Sequence, residues 1–200
     1  MRFVRSLAGG LFLGLLLGIP LCGSAAEAES SSTGLESTRG SEKYFGEISL
    51  IDQNGVEHRL YSDLLKDKVV VINAMFTSCT GSCPVMAGRL VKVQRWLGDR
   101  LGKDAHILSI SVDPTTDTPE KLASYAESFR ARPGWYFLTG EKANVDAALR
   151  KLGQYVEDKE THLSVMIIGN EPTGLWKKAM GLADADEIVE IVQSVVEDRE

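Results

Sequence analysis

The run KVVVINAMF, residues 68–76, constrains the fold more than any other stretch of this chain. A strand with one wet face alternates apolar and polar residues, whereas this run is apolar almost throughout and reads as a strand buried on both faces. Covering both faces takes helices or other elements on each side of a sheet, which points to an α/β architecture. At its carboxyl end stands FTSCTGSCP, where Cys79 and Cys83 are followed at once by Pro84.

The flanking segments supply the remaining elements. Upstream, GEISLIDQNGVEHRLYSDLL reads as two short strands joined by an Asn54-Gly55 turn, a β-hairpin. From Pro84, apolar side chains at Val85, Met86, Leu90, Val93, Leu97 and Leu101 recur near the helical period, so the cysteine segment is a strand-to-helix junction. HILSISV is a second buried strand, and a helix follows that starts at Thr118 with Pro119 in its first turn. GWYFLTG is a strand, EKANVDAALRKLG a helix ended by Gly153, HLSVMIIGN and LWKKAM are paired strands, and DADEIVEIVQSVVED is a last helix capped through Asp184 and Glu187. This order predicts a thioredoxin-like α/β fold with an N-terminal β-hairpin extension. In such sheets functional groups gather where a strand's carboxyl end meets a helix start, which is where Cys79 and Cys83 stand.

The amino terminus has the layout of a secretory signal: Arg2 and Arg5, an apolar run from Leu7 to Leu21, then small residues around Ala25, Ala26 and Ala28. Residues 1–26 are assigned to the signal, with a retained N-terminal anchor as the alternative. Acylation at Cys22 is disfavoured, because Pro20 and Leu21 stand where a lipid-type cleavage site has small residues. Residues 27–43, rich in Ser and Glu, read as a flexible tether, and residues 44–200 as the folded domain. The expected location is the periplasm or the outer face of the cytoplasmic membrane. The whole chain carries a formal charge of −6; without residues 1–26, which hold two arginines and no acid, 20 basic side chains face 28 acidic ones and the charge is −8. A chain this acidic, with no cluster of Lys and Arg, is not a nucleic-acid binder.

Once Cys22 is removed with the signal, Cys79 and Cys83 are the remaining cysteines. A disulfide that closes so short a loop removes little unfolded-state entropy and would be a weak staple. A redox couple and a metal site fit the pair better, since the start of a helix favours thiolate, the reactive and metal-binding form. Two thiolates can hold copper(I), whereas a site that also takes copper(II) needs a further ligand, for which imidazole is suited. Of the three histidines, His58 lies in the polar hairpin and His106 opens a buried strand, and both read as locally satisfied side chains. His162 follows the charged segment VEDKET and can reach over the cysteine loop. Met75, Met86, Met166 and Met180 sit in apolar strands and helix faces and read as core residues.

FTSCTGSCP, followed by SVDPTTDTPEKLASYA and later by a histidine that opens a strand, resembles the SCO/SenC family over most of residues 44–198. These are copper chaperones for the dinuclear copper centre of cytochrome c oxidase, with related thiol-disulfide proteins. The resemblance implies a copper site made by Cys79, Cys83 and His162, with Asp113 near it as a supporting group. It also implies a copper-accepting oxidase subunit or another cuproenzyme as partner. Thiol-disulfide reduction by Cys79 and Cys83 is the alternative, with Cys79 the more reactive thiol, and peroxide reduction is a third, less supported class.

Overall fold

In the computed structural model the described residues are 40–199, so the expected signal and most of the tether lie outside them. Residues 40–45 are helical and lead into β1 (Ser49–Ile51) and β2 (Glu57–Arg59), the antiparallel hairpin that the Asn54-Gly55 turn predicts. Asp52, 3% exposed, shapes that turn by accepting the Asn54 and Val56 backbone N–H groups, and His58 Nε2 contacts it at 3.1 Å. A short π-helix follows (Leu60–Leu65), which the sequence reading did not foresee.

The central sheet has the order β5 (Trp135–Leu138), β4 (Ala105–Ser111), β3 (Val69–Met75), β6 (Val165–Asn170), β7 (Leu175–Met180). β3, β4 and β5 are parallel, and β6 and β7 return antiparallel, which is the thioredoxin-like arrangement. Every residue of β3 and β4 is buried, the polar Asn73, His106, Ser109 and Ser111 included.

The crossovers place two helices on one face, α1 (Ser82–Leu97) between β3 and β4, and α2 (Pro119–Ser128) between β4 and β5. The carboxyl-terminal helix α4 (Ala185–Val196) joins them there, so Leu90, Val93, Phe137, Ile188 and Val192 share one core. The other face is covered by α3 (Lys142–Lys151), the π-helix and the hairpin, around Leu60, Leu64, Ile72, Leu108 and Leu149. Gly169 in β6 has no side chain because the indole of Trp176 lies over it, where a Cβ would come within 2.3 Å of the ring. Among the described residues no helix is long and apolar enough to cross a membrane.

His106, 4% exposed, is held in this second core, where its Nδ1–H donates to the Leu64 carbonyl at 2.9 Å. Burial pulls its pKa below the usual imidazole value, and the bond to Leu64 offsets this only in part. The unfolded chain therefore binds a proton here more readily than the folded one. The stabilising contribution is complete above about pH 6.5 and declines as the pH falls toward the depressed folded value. Denaturant midpoints taken from neutral to about pH 5 should fall more steeply for the wild type than for His106→Gln; parallel curves would contradict this assignment.

Candidate metal and thiol site

β3 ends at Met75, and its direction carries the chain out of the sheet at Phe76 into a tight turn in which the Cys79 N–H donates to the Phe76 carbonyl at 3.2 Å. Helix α1 begins at Ser82, two residues before Pro84, so Cys83 lies inside its first turn and Cys79 in the loop ahead of it. Cys83 faces the core and is 1% exposed, while Cys79 is half-buried; the two sulfurs are not joined in a disulfide.

The third group arrives on the segment that leads into β6, whose start lies beside the end of β3 because the two strands run antiparallel. His162 was expected to open a strand, but β6 starts three residues later, and His162 instead ends a single 3₁₀ turn, Lys159–Thr161. Side-chain bonds make that turn: Asp158 accepts the Glu160 N–H at 3.0 Å and Thr161 Oγ1 donates to the Asp158 carbonyl at 2.7 Å. The ring is set by Phe76, whose edge it meets at 5.4 Å between centroids, and by Nδ1–H, which donates to the Lys159 carbonyl at 2.9 Å. A carbonyl only accepts, so Nδ1 carries the proton and the Nε2 lone pair faces Cys83 Sγ at 3.3 Å. The ligand atoms of Cys79, Cys83 and His162 lie within 4.8 Å of one another, the group of metal-ligating side chains found among the described residues. Two sulfurs and an imidazole with its tautomer fixed form a donor set that fits a soft or borderline metal.

Asp113, the supporting group of the resemblance, reaches this site only through Lys159, whose Nζ it binds at 2.7 Å. Lys159 is the residue whose carbonyl holds the imidazole, so the ion pair fastens the histidine turn to the loop after β4. Burial opposes ionisation of Asp113, but the bonds from Lys159, Thr116 and Thr115 outweigh it and its pKa is lowered. His58 and His106 are committed elsewhere, to Asp52 and Leu64.

A residue the sequence reading passed over, Asp117, does more of the structural work. It is 0% exposed and accepts from the Thr77 N–H at 3.2 Å, from Thr77 Oγ1 at 2.5 Å and from Ser111 Oγ at 2.6 Å. It thereby ties the cysteine loop to β4 and α2. Met180 is a correction of a different kind. It is 66% exposed, not core, because its neighbour Ala179 takes the inward position opposite Met166. Met75, Met86 and Met166 are buried as expected.

The two thiols differ in acidity. For Cys79, burial opposes ionisation, but the hydrogen bond from the Cys83 thiol and the N–H groups of Cys83 and Gly81 outweigh it, and its pKa is lowered. Burial, helped by the hydrogen bond and negative charge of Cys79, pushes Cys83 up to about 12. In the reduced, metal-free protein iodoacetamide should therefore modify Cys79 more than about tenfold faster than Cys83, read by peptide mass spectrometry. Equal rates, or Cys83 reacting first, would contradict this order.

The SCO1/SenC family model matches residues 36–197. A SCO2-like protein of Rickettsia conorii is 33% identical over 103 residues, covering 52% of this chain and 48% of that protein. The chain thus aligns with about half the length of the curated relatives it matches. Among solved structures, a SCO1/SenC family lipoprotein from Bacillus anthracis superposes with a TM-score of 0.63 at 25% identity, covering 74% of this chain and 92% of that one. ScoI of Arabidopsis thaliana, solved with copper bound, shares the fold with a TM-score of 0.62 at 24% identity, covering 78% and 99%. With the family model spanning most of the domain, the motif cysteines included, the chain belongs to the SCO1/SenC family.

Proposed function

We propose that this chain is an exported copper-binding accessory protein that takes copper on Cys79, Cys83 and His162 and delivers it to the dinuclear copper centre of a cytochrome oxidase or a similar cuproenzyme. The observation that carries this reading is the imidazole: its Nδ1–H is committed to the Lys159 carbonyl, and its free Nε2 is turned toward Cys83. A disulfide exchanger has no need of an aimed imidazole lone pair beside its buried sulfur, whereas a copper carrier that holds both oxidation states does. Copper is the cargo here. The two thiols lose their protons as the ion enters, and ligand exchange, one thiolate at a time, passes it to the acceptor. Only the reduced pair can do this. The signal-like amino terminus supports placement in the periplasm or on the outer face of the cytoplasmic membrane.

The asymmetry of the thiols supports a second reading, thiol-disulfide reduction. Cys79 would attack a client disulfide and Cys83 would resolve the mixed disulfide, so that two electrons reduce the client and leave a Cys79–Cys83 disulfide. The readings separate on a metal-free oxidase copper domain whose own cysteines are already reduced. Copper-loaded protein should fill that domain, seen as its dinuclear spectrum, under the first reading. An acceptor that stays empty, while its oxidised form is reduced by the metal-free protein, would transfer the assignment to the second.

A further inference from the structure

Three segments are tied together around the candidate metal site: the first turn of α1, the chain from His162 to Ser164, and the turn that follows β7. Cys83 Sγ meets His162 Nε2 at 3.3 Å. Two residues past His162, the Ser164 carbonyl accepts the Gly181 N–H at 2.8 Å, which carries the β6–β7 ladder one step beyond Val165 and Met180. Gly181 in turn lies against α1, where a Cβ would come within 2.7 Å of the side chain of Met86, three residues after Cys83. Each segment presents a large apolar side chain to water: Val85 on α1, Leu163 beside His162, and Met180 and Leu182 on either side of Gly181. Seven such side chains stand exposed among the described residues; these four gather here, while Tyr44, Val56 and Trp96 come from separate parts of the chain. Leu163 precedes Ser164 and Leu182 follows Gly181, so in this antiparallel pair both leave the sheet on the side of His162. Exposed apolar groups concentrated at a reactive site mark a contact surface.

The charges on these segments are mostly of one sign. Glu157, Asp158 and Glu160 stand exposed ahead of His162, and Asp184 after Leu182. Glu160 is near enough to Cys79 for its negative charge to be felt there. Two of the neighbouring cations are already paired, Lys159 with Asp113 at 2.7 Å and Lys92 with Asp186 at 3.1 Å. That leaves Arg89, one turn beyond Val85, against the four acids. A second copy of this chain would bring acid against acid on such a face, which disfavours a symmetric dimer. A copper ion on Cys79, Cys83 and His162 can pass only to donor atoms brought within bonding distance, so whatever accepts it has to cover the residues beside those ligands.

We propose that the copper acceptor docks on this surface through an apolar mouth ringed by lysine and arginine, with Leu163, Leu182 and Val85 seated in the mouth and Glu157, Glu160 and Asp184 facing the ring. This rests on the copper-delivery reading above and gives the partner its chemistry. The apolar contacts hold the two sites together while ligands exchange, and the opposite charges steer the encounter. Leu163→Ser and Leu182→Ser should each slow filling of the acceptor about tenfold. Both side chains are exposed, so the melting temperature should stay at the wild-type value. Glu157→Lys should slow filling as well, and transfer from the wild type should slow as salt is added. The two leucine variants should lose copper(I) to bathocuproine disulfonate at the wild-type rate, because a small chelator needs no docking surface.

The measurement is the rate at which the copper-loaded protein fills a metal-free, reduced oxidase copper domain, timed by the acceptor's dinuclear spectrum, with removal by the chelator run in parallel and sedimentation velocity for the oligomeric state. Leucine variants that fill the acceptor as fast as the wild type, or that lose copper to the chelator as much faster as they fill it slower, would overturn the proposal while leaving copper delivery intact. So would transfer that quickens with salt, or a wild-type dimer that Leu182→Ser breaks. A wild type that holds no copper, or holds it and leaves the acceptor empty, would overturn the delivery reading and this proposal with it.

Discussion

His162→Ala is expected to abolish tight copper(II) binding while leaving the fold and the thiol chemistry of Cys79 and Cys83 in place. The argument is one of ligand count and hardness. Two thiolates suffice for copper(I), which accepts low coordination, so retention of that state should weaken and not vanish. Copper(II) prefers more ligands with nitrogen or oxygen among them, and among the described residues the ring of His162 is the nitrogen ligand grouped with both sulfurs. The ring is half-buried at the end of a surface turn, so its loss opens little space in the core. Copper(II) electron paramagnetic resonance should show nitrogen coupling in the wild type and lose it in the variant. A variant that keeps the wild-type spectrum would remove His162 from the site.

The second large effect is on stability, at Asp117. Its carboxylate is inaccessible to water and accepts from both donors of Thr77 and from the hydroxyl of Ser111, which in turn accepts the Asp113 N–H at 2.9 Å. Replacing it with alanine strands the Thr77 and Ser111 groups in the interior, at a cost of about 1–3 kcal/mol for each that finds no water. Because the donors act as one network the losses do not add fully, and a total of about 3 kcal/mol is expected. For a domain of this size that lowers the melting temperature by roughly 10 °C. Copper retention should fall as well, since Thr77 leads directly into the cysteine loop. Asp113→Ala, four residues away with a more exposed partner in Lys159, should cost far less stability and act mainly on His162. If the two variants destabilise equally, Asp117 is not the anchor of the loop.

These two acids show where the sequence was legible and where it was not. The buried strands, the three helices with proline or carboxylate starts and the junction that carries Cys79 and Cys83 all follow from apolar period and capping residues. Thr118, for instance, accepts from the Lys121 N–H at 3.5 Å as the reading of Pro119 in the first turn requires. In DPTTDTP, however, either aspartate could turn inward, and only the path of the loop over Ser111 and Thr77 decides for Asp117. The tautomer of His162 was hidden for a similar reason, since it depends on a turn made by Asp158 and Thr161 and not on periodicity. Met180 was open to better reading: in LWKKAM inward and outward residues alternate, and a strand that turns Ala179 inward must turn Met180 outward.

The most direct test of the account is copper K-edge X-ray absorption on the soluble domain, loaded with one equivalent of copper(I) under reducing conditions and freed of loosely held metal. The account predicts one copper retained per chain, with sulfur scatterers from Cys79 and Cys83 and a nitrogen scatterer carrying the outer-shell pattern of imidazole, lost in His162→Ala. Copper that washes off the wild type, or that stays when both cysteines are replaced by serine, would contradict it.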